Sequence, residues 1–165
     1  MTVIRHVKEA DLPALLRIYN HYIRETPITF DIEEKTLAAR KADWFSLFTD
    51  KGRYQCFVAE REGQTLGWAC SMPFRPKQAY DTSVEVSIYL DPAAQGAGLG
   101  RALYERLLGE IGQADTHRAL AGITLPNEAS CALHRAMGFE EAGLFREVGR
   151  KFGRYWDVLW MERAL

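Results

Sequence analysis

The sequence predicts a single mixed α/β domain over residues 1–165, in which helices flank a mostly antiparallel sheet. Apolar residues alternate along several short segments and recur at helical spacing in others, which is typical of a chain with both element types. With 165 residues, 47% of them hydrophobic and 26% charged, the chain is long enough to bury one core. We see no linker, repeat or low-complexity stretch, so a second domain is not expected.

The chain begins with a strand and two helices. A strand is expected over Thr2 to Val7, and from about Glu9 the apolar side chains follow helical spacing as far as Ile23. Thr26 to Asp31 breaks that pattern and predicts a loop. Apolar residues spaced along Leu37 to Phe48 then predict the second helix.

A hairpin and a longer strand follow. Gln55 to Arg61 and Thr65 to Ser71 are rich in alternating apolar residues and are separated by a short turn containing Gly63, which predicts an antiparallel pair. The segment 72–80 carries two prolines and predicts a loop, and Ser83 to Leu90 predicts the next strand.

The last third of the chain returns to alternating elements. A strand is expected over Ala119 to Leu125, and a short helix over Asn127 to Met137 that ends at Gly138. Leu144 to Val148 and Tyr155 to Arg163 predict two final strands, the second with clean alternation.

Composition excludes several classes of function. The formal net charge of −1 and the absence of a basic stripe argue against nucleic-acid binding as the main task. The N-terminal segment lacks the apolar core of a signal peptide, and no apolar run reaches the ~20 residues that cross a bilayer. The three isolated cysteines predict buried thiols, with no metal site. We therefore expect a cytoplasmic protein that binds no metal and no membrane.

A glycine run separates the strand ending at Leu90 from an apparent helix. Gly96, Gly98 and Gly100 fall at alternate positions, and the run lacks the Gly-Lys-Ser/Thr of a Walker loop and the spacing of a dinucleotide fingerprint. Bare backbone N–H groups that lead into a helix still suit a phosphate. From the residues alone, a tight strand-to-helix turn without a ligand remains the alternative.

The context of this run resembles the pyrophosphate loop of the GNAT (GCN5-related N-acetyltransferase) superfamily, with matching residues at Gln95, Gly98 and Gly100. Further blocks resemble its phosphinothricin and methionine sulfoximine acetyltransferase branch. They are IYNHY (18–22), TFD (29–31), AYDTSVEVSIYL (79–90), GLGRALYERLL (98–108), LPNEASCALHRAMGF (125–139) and VGRKFGRYWDV (148–158). The resemblance implies a GNAT-type domain whose central twisted sheet is splayed, beside a bulge, at the strand that binds acetyl-CoA.

Acetyl transfer to an amine needs a base, because a free amine is largely protonated at neutral pH. Glu85 is our candidate, since it shares one face of its strand with Ser87 and Tyr89 and an acid there needs a partner or a cleft. A glutamate on an exposed edge is the alternative. The resemblance places the base of the branch at this position.

The resemblance also assigns cofactor contacts. The strand end would bind the pantetheine arm through its backbone, the glycine loop would bind the pyrophosphate, and Asn127 would both cap a helix and contact the arm. The predicted cofactor-binding residues are Ile88, Tyr89, Leu90, Gln95, Gly96, Ala97, Gly98, Leu99, Gly100, Arg101, Asn127 and Ser130.

His134 stands where many relatives carry a tyrosine that protonates the departing thiolate. A neutral imidazole is a weaker acid for that step, so a catalytic role and a structural role are both open. Arg75 and Lys77 stand two residues apart, and an extended backbone would point both side chains the same way. Such a basic pair suits the carboxylate or phosphinate of a small substrate, and solvated surface charge is the alternative. The predicted substrate-binding residues are Thr29, Phe30, Arg75, Pro76, Lys77, Glu85, Val86 and Ser87.

The sequence therefore predicts a homodimeric N-acetyltransferase that uses acetyl-CoA and a small amine such as methionine sulfoximine, methionine sulfone or phosphinothricin. Two alternatives are an enzyme that acetylates protein N-termini or other amines, and a non-catalytic acyl-CoA-binding domain. The latter predicts loss of the base or of the glycine loop, and both Glu85 and the loop are present.

Overall fold

A computed structural model describes residues 1–165 and contains one seven-stranded sheet in the order β1-β2-β3-β4-β5-β7-β6. Neighbouring strands are antiparallel except β4 and β5, which are parallel, so the predicted mostly antiparallel sheet is confirmed. The strands are β1 (Thr2–His6), β2 (Cys56–Arg61), β3 (Gln64–Pro73), β4 (Ser83–Leu90), β5 (Arg118–Thr124), β6 (Glu140–Lys151) and β7 (Arg154–Ala164).

Four helices cover the two faces of the sheet: α1 (Leu12–Glu25), α2 (Leu37–Asp43), α3 (Leu99–Ile111) and α4 (Glu128–Ala136). Alternation along β2 explains the two layers. Phe57 and Ala59 join the core cluster beneath α3, whereas Cys56 and Val58 join the cluster beneath α1. All three cysteines are buried free thiols, as expected.

The sheet opens at its centre. The β4–β5 ladder ends after Glu85 opposite Leu120, although β4 continues to Leu90 and β5 continues to Thr124. The splay expected at this strand is therefore present, but the bulge expected beside it is not. The register of β4 against β3 runs without interruption from Val84 to Leu90, so the strands part because the parallel ladder stops.

Two elements differ from the sequence prediction. The second helix stops at Asp43, because Trp44 leaves helical geometry and turns into the core, where its ring packs against Phe48 and Trp68. A short 3-10 turn over Phe45–Leu47 follows. Strand β6 is longer than predicted and carries register shifts on both sides of Leu144, which raise its local twist.

No helix combines the length and the apolar character that crossing a membrane requires.

Candidate active site

Strand β4 positions the residue predicted to act as a base. Glu85, Ser87 and Tyr89 face the side of the sheet covered by α1, whereas Val84 and Val86 are buried on the opposite side. Glu85 is the last β4 residue paired with β5. Its carboxyl group therefore lies at the point where the sheet opens.

A cavity of about 490 Å³ surrounds Glu85, and we call it the Glu85 cavity. Burial raises the pKa of the Glu85 carboxyl, and the Arg75 guanidinium offsets part of that rise. The raised pKa brings this carboxyl closer to the range in which it can exchange a proton near neutral pH. Of the predicted substrate-binding residues, the cavity is lined by Thr29, Phe30, Arg75, Glu85 and Ser87.

The remaining predicted substrate residues lie elsewhere. Val86 points to the other face and lines a narrow cavity of about 50 Å³ between the parted strands. Pro76 and Lys77 are exposed and do not line the Glu85 cavity. The backbone turns after Pro73 and forms a 3-10 turn over Gln78–Tyr80, so Arg75 and Lys77 do not share one extended segment.

The loop that carries Thr29 and Phe30 is anchored by buried polar contacts. The Tyr19 hydroxyl donates to Asp31 Oδ2 at 2.6 Å and lies 2.9 Å from Thr29 Oγ1. Lys151, only 4% exposed, donates from Nζ to the Thr29 carbonyl at 2.8 Å. These bonds fix one wall of the Glu85 cavity.

A cleft of about 330 Å³ runs from the end of β4 to the start of α4. Tyr22 stabilises its edge, because its hydroxyl donates to the Leu90 carbonyl at 2.7 Å and accepts from Gln95 Nε2 at 3.0 Å. Of the predicted cofactor-binding residues, those that line this cleft are Ile88, Leu90, Gln95, Gly96, Asn127 and Ser130.

The three glycines of the loop are required for different structural reasons. Gly96 and Gly98 have positive φ values of 80° and 73°, which only glycine adopts at little cost, and open space surrounds both. Gly98 precedes α3 directly. Gly100 instead permits close packing, because a Cβ there would lie 3.1 Å from Leu133 Cδ2.

The other predicted loop residues divide between the core and the surface. Leu99, the first residue of α3, is buried, Ala97 is exposed, and Arg101 forms an exposed ion pair with Glu105 at 2.8 Å. Tyr89 is half-buried and stacks on Trp68.

Asn127 and His134 lie on the other wall of the opening in the sheet. The Asn127 side chain accepts from the Ser130 N–H at 3.2 Å, so it caps α4 as predicted. His134 Nδ1 donates to the Ser130 carbonyl at 2.7 Å, and its Nε2 accepts from the Tyr104 hydroxyl at 2.9 Å. Burial lowers the pKa of His134, which favours the neutral ring.

Several residues that shape the site were not singled out from the sequence. Tyr19 and Tyr22 recur at helical spacing, and that pattern is equally typical of core residues. Lys151 reaches Thr29 across 122 residues, and no local signal could predict that contact. No group of three or more His, Cys, Asp or Glu side chains is placed to hold a metal ion.

The family model described as the acetyltransferase (GNAT) family matches residues 15–139. A phosphinothricin N-acetyltransferase of Streptomyces coelicolor is 51% identical over 98% of this chain and 95% of its own length. A methionine sulfoximine and methionine sulfone acetyltransferase of Pseudomonas aeruginosa is 35% identical over 98% of this chain and 94% of its own.

Solved structures give the same fold. A phosphinothricin acetyltransferase of Sinorhizobium meliloti, in complex with acetyl-CoA, superposes with a TM-score of 0.93 at 36% identity, covering 99% of this chain and 88% of that one. A ribosomal-protein-alanine N-acetyltransferase of Brucella melitensis superposes with a TM-score of 0.92 at 42% identity, covering 99% of both chains.

Proposed function

The chain belongs to the GNAT acetyltransferase family, and we propose that it acetylates the primary amine of a small amino-acid analogue with acetyl-CoA as donor. The acceptors proposed are phosphinothricin, methionine sulfoximine and methionine sulfone, which the names of its relatives include. The observation that carries the proposal is the half-buried Glu85 carboxyl, which shares a cavity with the Arg75 guanidinium where the sheet opens.

The free edge of β4 fits the acyl-CoA arm. Beyond Glu85 this edge has no strand partner, so its backbone groups other than the Leu90 carbonyl, which accepts from Tyr22, are available to a ligand that carries amides. Gly96 and Gly98 lie just before α3 and have positive φ values, and their backbone N–H groups suit a pyrophosphate. When bound, acetyl-CoA supplies the thioester whose acetyl group is transferred.

Glu85 accepts the proton that the acceptor amine must lose. An amine attacks only in its neutral form, and a carboxyl whose pKa is raised by burial accepts a proton more readily near neutral pH than an ordinary one. Ser87, two residues along the same face, lines the cavity beside it. The proton passes either directly from the amine or through one water.

Arg75 binds the acidic group of the acceptor. Its guanidinium lies 4.2 Å above the Phe74 ring centroid and 5.8 Å from that of Trp160, and the side chain donates one hydrogen bond to a backbone carbonyl. A planar guanidinium held in this way retains donors for a carboxylate. Thr29 and Phe30 form the facing wall. Lys77 does not line the cavity, so Arg75 is the cation that contacts the acidic group.

His134 contributes by holding the opening in the sheet. Its Nε2 accepts from Tyr104 and its Nδ1 donates to Ser130, so the neutral ring has no free N–H to give to a thiolate. His134 is therefore a positioning residue: it holds the Tyr104 hydroxyl and the first turn of α4 beside the opening and does not itself protonate the thiolate.

We also propose a homodimer formed through the β6–β7 hairpin. Large exposed apolar side chains concentrate there, including Phe145, Val148 and Phe152, each at least half exposed. Phe145 and Val148 also line the Glu85 cavity, so a partner on this face would lie beside the acceptor. Light scattering tests the dimer: the wild type should show twice the chain mass of 18.8 kDa, and F152D should show the monomer. A monomeric wild type would contradict it.

Because acetyl-CoA is a metabolite of the cell interior, the proposed location is the cytoplasm. Acetylation of protein N-termini is a second candidate function, favoured by the similarity to the Brucella protein. A non-catalytic acyl-CoA-binding role would leave the raised pKa of Glu85 without a function.

An amine panel tests the proposed function. Thiol release from acetyl-CoA is measured with phosphinothricin, methionine sulfoximine, methionine sulfone, common amino acids and a peptide with an N-terminal alanine. We expect turnover with the amino-acid analogues and little with the peptide. Turnover with the peptide alone would establish the second candidate, and no turnover with any amine would leave only the binding role.

A further inference from the structure

A second cavity, of about 310 Å³, lies between α2 and the sheet. We call it the Arg40 cavity and define it by Tyr19, Arg40, Trp44, Trp68, Ser87 and Tyr89, which are among the residues that line it. Four aromatic rings and the Arg40 guanidinium form part of its walls, and the charged side chains of Asp31, Lys35 and Asp43 line it as well. None of the residues predicted to bind acetyl-CoA lines it except Tyr89.

Arg40 lacks an acceptor for its charge. Its guanidinium carbon lies 3.8 Å from the Trp44 ring centroid and 4.4 Å from that of Tyr19, and no carboxylate lies within ion-pair distance. Its Nε is buried without any hydrogen-bond partner. Arg40 as a whole is half-buried, so the cost lies at this N–H: a buried donor without an acceptor is unfavourable, and the arrangement favours an acceptor brought by a ligand.

A second buried donor lies in the same cavity. Trp68 is fully buried, and its indole Nε1 also lacks a hydrogen-bond partner. These are the two nitrogen donors among the buried side-chain atoms without partners, and both residues line the Arg40 cavity. Two unpaired N–H donors beside one positive charge are the complement of a carboxylate or a phosphinate.

The acidic residues of this region do not neutralise Arg40. Asp31 pairs with Lys35 at 3.2 Å and also accepts from the Tyr19 hydroxyl. Asp43 lies three residues from Arg40 at the end of α2, but it is exposed and forms no ion pair with it. The positive charge of Arg40 is therefore available to a ligand in the cavity.

The Arg40 cavity adjoins the Glu85 cavity. Tyr19, Ser87 and Tyr89 line both of them, so the two cavities meet along these side chains, with Arg75 in one and Arg40 in the other. We propose that the Arg40 cavity is a second anion subsite, which takes the distal phosphinate or carboxylate of an acceptor whose amine lies at Glu85. The proposal rests on the proposed function and adds to it a preference for amino acids with a second acidic group.

A matched pair of acceptors tests the preference. Phosphinothricin carries a distal anion, whereas methionine sulfone is neutral at the same end, so their kcat/KM ratio isolates the distal charge. We expect R40M to lower the phosphinothricin-to-sulfone ratio about 10- to 100-fold, the range of a lost hydrogen bond to a charged group. K41M removes a neighbouring exposed charge, paired with Glu9 at 2.6 Å, and should leave the ratio unchanged.

Equal losses for both acceptors in R40M would show a structural role and overturn the proposal. R40K keeps the charge without the planar guanidinium, and should lower the ratio less than R40M does. If R40M fails to fold, the acceptor ratio of R40K still tests the subsite. A ratio in R40K and R40M equal to the wild-type value would contradict the subsite.

Tryptophan fluorescence provides a readout that does not require turnover. Trp44 and Trp68 line the Arg40 cavity, whereas Trp160 lines the Glu85 cavity, so both proteins carry W160F: phosphinothricin added without acetyl-CoA should change the emission of W160F and not of W160F/R40M. An identical response in both proteins would overturn the subsite even if acetylation is observed. If the wild type acetylates neither acceptor, the proposed function fails, and the titration still decides whether the cavity binds the anion.

Discussion

Replacing Gly149 by alanine should disturb the Glu85 cavity from its outer wall. A Cβ at this position would lie 2.1 Å from Phe30 Cε2 and 2.3 Å from Phe30 Cζ. The ring would have to retreat by about 1.3 Å to reach an ordinary contact of 3.4 Å. Phe30 is 37% exposed and can move outward, so we expect a cost near the lower end for overpacking, about 1 kcal/mol.

That displacement predicts a defect in acceptor binding. Contacts that the displaced Phe30 ring loses with the acceptor, worth about 1 kcal/mol, should raise the acceptor KM roughly fivefold. The folding cost of about 1 kcal/mol is separate and should lower the Tm by about 2–4 °C. Steady-state kinetics with phosphinothricin measures the first and calorimetry the second. The KM for acetyl-CoA should not change, because Phe30 does not line the cleft at the end of β4.

Two comparisons show whether Phe30 is the cause. G143A lies on the same strand with no atom within 4 Å of its Cβ, so it should behave as wild type. The double variant F30A/G149A should match F30A, because the clash is gone. A wild-type acceptor KM in G149A, or an equal defect in G143A, would refute the reasoning.

Two further changes separate stability from catalysis. Because burial raises the folded-state pKa of Glu85, the stability of the wild type should fall as pH rises through that pKa. E85Q should therefore have a higher Tm than wild type at pH 8 and the same Tm near pH 4. A Tm difference that does not depend on pH would contradict this. G98A forces alanine to φ +73° and should cost about 1–2 kcal/mol and raise the KM for acetyl-CoA. G109A, within the helix α3 that Gly98 precedes, is the control and should not raise that KM, since nothing lies within 4 Å of its Cβ.

Much of the fold and part of the site could be predicted because their signals are local. Alternation along β4 was enough to place Glu85 and Ser87 on one face, and Asn127 was recognisable as a helix cap from its position before α4. Residue type did not separate the three glycines of the loop, since Gly96 and Gly98 have positive φ and Gly100 does not.

Contacts between distant segments could not be predicted in this way. Lys151 was not singled out because its partner lies 122 residues earlier in the chain. Arg40 was not singled out because its unpaired Nε, and the unpaired Trp68 Nε1 in the same cavity, are seen only in the folded chain. Lys77 was grouped with Arg75 on the assumption of an extended backbone, which the turn after Pro73 removes.

The pH dependence of kcat/KM in wild type and E85Q tests the central claim most directly. With Glu85 as the base, the wild-type value should fall as pH decreases through the raised pKa of this carboxyl. E85Q should be lower by about 10²- to 10⁴-fold at neutral pH and should lack that inflection. An E85Q enzyme with the wild-type kcat/KM and the same pH profile would contradict the account.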